Sequence, residues 1–265
     1  MNIVVCTKQV PDSAATLKVD ERSNVSWGDA PLVVNPWDEY AIEEAIRLKE
    51  KHGGKITVLS IGPDQVKEAL KTAVAMGCDE AIQLWDTAFD GSDALGISLV
   101  LANAIQKIGS IDAVLLGKQA IDGDTGLIGP ALARRLGWSQ LTYVAKIREI
   151  DPGGKTITVE RLLEEGRQIL SSTLPAVITV VKEINEPRYP SFMGIRKASK
   201  LQVPVWTAAD LGVEAGRVGR GVASVTWTRI YAPPPREGNV EIVTGDTPEA
   251  IAATLVDKLL AEKVI

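Results

Sequence analysis

Four short runs of β-branched and aliphatic residues, Ile3 to Thr7, Lys55 to Ile61, Ala81 to Trp85 and Ala113 to Leu116, are separated by segments of helical periodicity. Asn35 to Lys51 places Ala41, Ile42, Ala45, Ile46 and Leu48 on one face, with Asn35 as cap and Pro36 in the first turn. Pro63 to Met76, Ser92 to Lys107 and Leu127 to Leu136 repeat the pattern, and Gly77 is placed to stop the second helix in the left-handed conformation. Strands that alternate with helices pair in parallel through right-handed crossovers, so the chain is expected to form a doubly wound, mostly parallel α/β sheet. Ligands of such sheets bind beyond the carboxyl ends of the strands, and the loops after Thr7, Ile61 and Leu116 then open on one edge.

After Trp138 the period changes. Leu141 to Ile150, Thr156 to Glu160, Arg167 to Leu174 and Ala176 to Lys182 alternate as strands, with a tight turn at Gly153–Gly154, and are expected to extend the sheet antiparallel. Residues 185–200 carry prolines, a Phe192–Met193 pair and basic side chains, a pattern of a loop entering a short helix or of a partner anchor. From Leu201 the chain reads as an arm, with a strand from Val222 to Ile230, a stiff triple proline and a last helix from Glu249 to Glu262. Two units are therefore expected, residues 1–200 and a C-terminal arm at 201–265. The apolar stripe Ile251, Leu255, Leu259 and Leu260 needs a second surface to bury against, and a second subunit is expected to supply it.

Composition narrows the chemistry. With 265 residues, 45% hydrophobic and 24% charged, the chain has a soluble globular balance that can bury a full core. A net charge of -5 gives no electrostatic footprint for nucleic acid. Lys8 follows the first apolar run without a cleavage pattern, so that run reads as a strand and not a signal peptide. No apolar stretch reaches membrane-spanning length, and the expected location is the cytoplasm. Cys6 and Cys78 sit in apolar segments and read as buried thiols. The single histidine, His52, suits a helix C-terminus, which leaves none for a hydrolytic triad or a zinc cluster.

The segment from Ala113 to Trp138 says most about function. Strand, glycine-punctuated loop and helix is the arrangement that offers helix N–H groups to a phosphate. Asp122, Asp124 and Thr125 are cap or turn residues, and Gly117, Gly123 and Gly126 let backbone approach a ligand. The loop has neither the Lys-Ser/Thr ending of a P-loop nor the glycine spacing of a dinucleotide fingerprint, and an ordinary capped connection carries the same residues.

Val4 to Val10, Asn35-Pro36-Trp37-Asp38, Ile61-Gly62-Pro63, Ala75-Met76-Gly77, Leu115 to Asp122 and Asn185-Glu186-Pro187-Arg188-Tyr189 with Lys197-Ala198 occur in this order along nearly the whole chain. In these segments the chain resembles the β subunit of electron transfer flavoprotein. The resemblance implies a heterodimer with an α subunit that holds a redox FAD. It also implies an adenine nucleotide in this subunit, AMP in many members and a second FAD in electron-bifurcating ones.

Carried over position by position, the nucleotide touches Cys6 through its backbone, Asn35, Pro36, Trp37, Asp38, Ile61, and the run Gly117, Lys118, Gln119, Ala120, Ile121, Asp122, Gly123, Asp124, Thr125, Gly126, Leu127 and Ile128. Asp122 and Asp124 would repel phosphate and are assigned to capping or turn bonds. Tyr189, Phe192, Met193, Ile195, Arg196 and Lys197 match the family's docking segment for flavin-containing dehydrogenases such as acyl-CoA dehydrogenase, with Phe192 where the family's anchor is a leucine. The resemblance makes the chain an electron carrier without side-chain catalysis, or part of an NADH-oxidising bifurcating enzyme if this subunit holds FAD. An ATP-binding stress-type domain shares the fold class, but it carries a Ser/Gly phosphate grip after the first strand where this chain has Lys8-Gln9-Val10-Pro11.

Overall fold

Alternate side chains of the first strand point into two separate cores. Ile3 and Val5 join one buried cluster, while Val4 and Cys6 join the other. That two-sided burial makes the run apolar throughout, as a central parallel strand requires. The structure is a computed structural model that describes residues 1–235, 238 and 240–265; positions 236, 237 and 239 of the expected arm lie outside the described residues.

In chain order the elements begin with β1 (Asn2–Cys6), β2 (Gln9–Pro11), β3 (Lys18–Val19), β4 (Val25–Ser26), β5 (Leu32–Val34), α1 (Pro36–His52), β6 (Lys55–Ile61), α2 (Val66–Met76) and β7 (Glu80–Leu84). They continue with α3 (Ala94–Ile108), β8 (Ala113–Gly117), α4 (Ile128–Leu136), β9 (Ser139–Asp151), β10 (Thr156–Leu163), β11 (Gly166–Thr173) and β12 (Ala176–Val180). The last three are α5 (Phe192–Ser199), β13 (Val205–Trp206) and α6 (Pro248–Ala261).

Nine strands form one sheet in the order β11-β10-β9-β12-β8-β1-β6-β7-β13. The chain steps outward from β1 through β6 to β7, and α3 then returns it to β8 on the other side of β1. The strand order therefore reverses between β1 and β8, which opens a crevice at their carboxyl ends. Residues of α1 and α2 bury in one core and residues of α3 and α4 in the other, so the sheet is doubly wound as expected.

Three expectations change in detail. The run Ala176–Val180 pairs in parallel with both β8 and β9, and in this sheet only β10 is reversed, pairing antiparallel with β9 on one side and β11 on the other. Its five residues are all buried, the signature of a strand covered on both faces and not of an alternating edge. No strand forms over residues 222–230, which pair with no strand of any sheet; the last strand of the large sheet is instead β13, paired with β7. Gly77 does end α2, but at φ 144° and ψ 3°, outside the left-handed helical well.

Ala208, Leu211, Val213 and Val218 bury in the α3/α4 core, whereas α6 has no buried residue. Among the described residues no helix is long and apolar enough to cross a membrane.

The seating of α4 depends on a missing side chain. A Cβ at Gly129 would collide with the Thr179 methyl on β12. Gly129→Ala is expected to cost about 1–3 kcal/mol by overpacking. Thr179→Ser removes that methyl and keeps the hydroxyl, so the double variant should recover most of the loss in urea titrations. Purely additive losses would show that this contact does not govern position 129.

Candidate functional site

The first turn of α1 fastens the two loops that leave the crevice. Asn35 precedes the helix, and its backbone carbonyl accepts from the Asp38 and Glu39 N–H groups. Its side chain does not cap the helix. Instead Nδ2 donates to the Gln119 carbonyl at 2.9 Å, and Oδ1 accepts from the Ile121 N–H at 3.1 Å. Asp38 bridges the strand ends themselves: one carboxylate oxygen accepts from the Lys8 N–H at 2.8 Å after β1, the other from the Gly117 N–H at 2.9 Å on β8. A Cβ at Gly117 would lie 2.5 Å from the Trp37 Cβ and 2.7 Å from Asp38 Oδ1, so only glycine admits this approach. Burial pushes the Asp38 carboxyl up to about 7, against the opposing pull of the Lys8 and Gly117 N–H groups.

From this anchor the loop 118–127 turns back on itself. The Lys118 N–H donates to the Val180 carbonyl at 3.0 Å, and the Asp124 N–H to Ala120 at 2.9 Å. Asp124 adopts φ 48° and Gly126 φ 63°. Asp122 and Asp124 do not cap α4. Asp122 pairs with Lys8 Nζ at 2.6 Å, and Asp124 accepts from Gln119 Nε2 at 2.7 Å. Thr125 does not cap it either, because the helix starts only at Ile128 with Leu127 in the cap position and no side-chain cap bond. The first-turn N–H groups of α4 therefore have no side-chain oxygen on them, a donor-rich end that favours an anion. A side chain at Gly123 would meet nothing within 4 Å, so the loop is open where its backbone is barest.

The crevice floor holds a feature that sequence reading missed. Ser60 on β6 and Gln83 on β7 are in register, and Thr7 follows the Cys6–Leu59 pair on β1. Thr7 Oγ1, Ser60 Oγ and Gln83 Oε1 are buried and have no hydrogen-bond partner; Gln83 Nε2 donates to the Gly62 carbonyl at 2.9 Å. Polar residues at the carboxyl ends of otherwise apolar strands were the available signal. Orphaned oxygens and uncapped N–H groups at one sheet edge suit a polar ligand. Cys6 lies there too, its thiol pushed far above the usual range by burial and then by the Asp38 charge, which leaves it inert as a nucleophile. Ile61 ends β6 at the same edge.

Tyr189, Phe192, Met193 and Ile195 lie elsewhere, on the segment leading into α5 and on α5 itself. They are exposed at 94%, 80%, 68% and 53%. Arg196 is exposed beside them, whereas Lys197 turns its ammonium to the Cys78 carbonyl at 3.2 Å. The segment is tied to α1 at its base: Asn185 donates to the Tyr40 carbonyl and to Glu44, and Arg188 pairs with Glu43 at 2.8 Å and Glu50 at 2.6 Å. Although burial opposes it, bonds from Arg188 and Arg47 hold the Glu43 carboxyl below its usual range.

The family model of the electron transfer flavoprotein domain matches residues 28–211 of the chain. An electron transfer flavoprotein subunit beta from Thermoanaerobacterium thermosaccharolyticum is 43% identical, covering all of both chains. One from Megasphaera elsdenii is 39% identical over all of both chains. A protein FixA from Azorhizobium caulinodans is 40% identical, over 99% of this chain and 93% of its own.

The buried Asp38 carboxyl has a consequence for stability. Its folded value lies above the ordinary 3.8, so the native state holds more protons than the unfolded state between about pH 4 and 7. Stability contributed by the protonated form is present below pH 4 and is lost as pH rises through 7. Relative to Asp38→Asn, the wild type should lose roughly 2–4 kcal/mol across that window. Urea midpoints measured at pH 4.5, 6 and 8 check this; a pH-independent difference between the two proteins would contradict it.

Proposed function

The chain belongs to the electron transfer flavoprotein β-subunit/FixA family, and we propose that it is the β subunit of a heterodimeric electron transfer flavoprotein. In this reading it binds an adenine nucleotide, AMP or a second FAD, in the crevice between β1 and β8. Electrons pass from flavin-containing dehydrogenases, such as acyl-CoA dehydrogenase, through the heterodimer to a downstream acceptor. The observation that carries the reading is the paired grip of Asn35 and Asp38, which holds both crevice loops beside the uncapped start of α4.

The residues fit such a ligand. Backbone N–H groups of Thr125 to Ile128 and the Thr125 hydroxyl donate to phosphate oxygens, while Lys8 neutralises Asp122 so that its carboxylate does not oppose them. Cys6, Pro36, Trp37 and Ile61 shape the base pocket. A flavin, when bound, supplies the electron-carrying chemistry, and the protein contributes position and surroundings. Neither buried thiol is available as an acid or base, for burial raises Cys6 as well as Cys78, the latter to about 12.

The exposed apolar side chains around Phe192 dock the dehydrogenase, and the part of the arm beyond Val218 packs on the α subunit, where the uncovered face of α6 finds its partner.

Denaturing the purified heterodimer and counting released nucleotides tests the site: one FAD with one AMP, or two FAD, supports it, and FAD in the α subunit alone contradicts it. Phe192→Ala should lower kcat/KM for the dehydrogenase at least tenfold with the nucleotide count unchanged. Unchanged transfer would remove Phe192 from the docking surface.

A further inference from the structure

Tyr143 is the residue at the crevice that its secondary structure does not explain. It lies within β9 yet adopts φ 57°, a left-handed conformation rare for a bulky aromatic residue. The strand is bulged there: Ile178 and Val180 of β12 pair with Leu141 and Val144, so β9 spends one residue more than its partner. The strained backbone is held by its N–H, which donates to Thr179 Oγ1 at 3.2 Å. Tyr143 is 42% exposed, so core packing does not account for the strained backbone.

What the bulge achieves is a direction. It sends the ring toward Lys118, the first residue of the crevice loop, whose ammonium stands 5.8 Å from the Tyr143 ring centroid and 4.5 Å from that of Trp37. Among the described residues that ammonium meets two aromatic faces and no carboxylate. Bulges beside functional sites commonly re-aim one side chain, and strain of this kind persists where the surroundings maintain it. Trp37 and Lys118 flank the Asp38 grip, so the wall stands at the neck of the proposed nucleotide loop.

We propose that Tyr143 is a specificity-determining residue. With Trp37 and Lys118 it forms a cation-bearing aromatic wall that favours a nucleotide carrying a second, electron-poor planar ring, the oxidised isoalloxazine of FAD, over AMP. The proposal rests on the nucleotide reading of the crevice. The ring supplies a stacking face, and the ammonium meets the carbonyl-bearing edge of a ring that adenine alone does not offer.

Tyr143→Gly separates this role from a structural one, because glycine adopts φ 57° without strain. The test uses the heterodimer stripped of loosely bound nucleotide and titrated with FAD and with AMP. Tyr143→Gly should weaken FAD about tenfold, leave AMP within about twofold, and hold or raise the thermal midpoint by about 2 °C. Tyr143→Phe, which keeps the ring, should bind FAD as the wild type does. A lowered midpoint with equal loss of both nucleotides would make Tyr143 structural, and unchanged FAD affinity would remove the wall. A wild type that binds AMP and no FAD overturns the wall while leaving the nucleotide reading intact, and one that binds neither overturns both.

Discussion

One carboxylate holds the crevice together. Asp38 sits where the sheet reverses direction, and its two oxygens take N–H groups from the ends of β1 and β8. Parallel strands at a switch point diverge into separate loops, and nothing in the sheet itself fixes how those loops lie. Asp38 does so by placing the first turn of α1 between them. The arrangement carries the cost of a buried charge, and it restricts position 117 to glycine. A site built in this way is set by backbone bonds, so loop shape survives variation in exposed loop side chains.

The same helix reaches the second functional region. Its N-terminal turn grips the crevice loops, and further along Glu43, Glu44 and Glu50 hold Asn185 and Arg188 at the base of the segment that presents Phe192. Thus α1 is a strut between the β1–β8 crevice, the proposed nucleotide site, and the exposed apolar segment proposed to dock a dehydrogenase. The Arg188 pairs are partly exposed and Glu43 is buried, so the junction gains more from geometry and hydrogen bonding than from exposed charge attraction. Electron transfer depends on fixed separations, and a rigid element common to both regions meets that need.

The sequence made the architecture legible because it is written in local terms. Runs such as Ile3 to Thr7 and Lys55 to Ile61 are apolar on both faces, which only a central parallel strand requires. Motif order identified the family and drew attention to Asn35, Asp38 and the Gly117 loop. Contacts between distant segments were not legible. Asn35 looked like a cap, yet its side chain crosses to Gln119 and Ile121, a partnership set by tertiary placement. Asp122 and Asp124 had the right chemistry for caps but lie too far ahead of Ile128, and they found Lys8 and Gln119 instead. The alternation from Val222 to Ile230 satisfied a strand's period without offering it a neighbour. Tyr143 gave no signal at all, since a bulge depends on the register of two strands separated by more than thirty residues.

The most direct measurement is nucleotide retention by Asn35→Ala in the heterodimer. Alanine leaves the Gln119 carbonyl and the Ile121 N–H without their partner while the Asp38 bridge stays in place. The variant is expected to fold with the wild-type circular dichroism spectrum, to retain FAD in the α subunit, and to bind the second nucleotide at least tenfold more weakly. A variant that keeps this nucleotide at full stoichiometry and wild-type affinity would contradict the claim that the first turn of α1 builds the site.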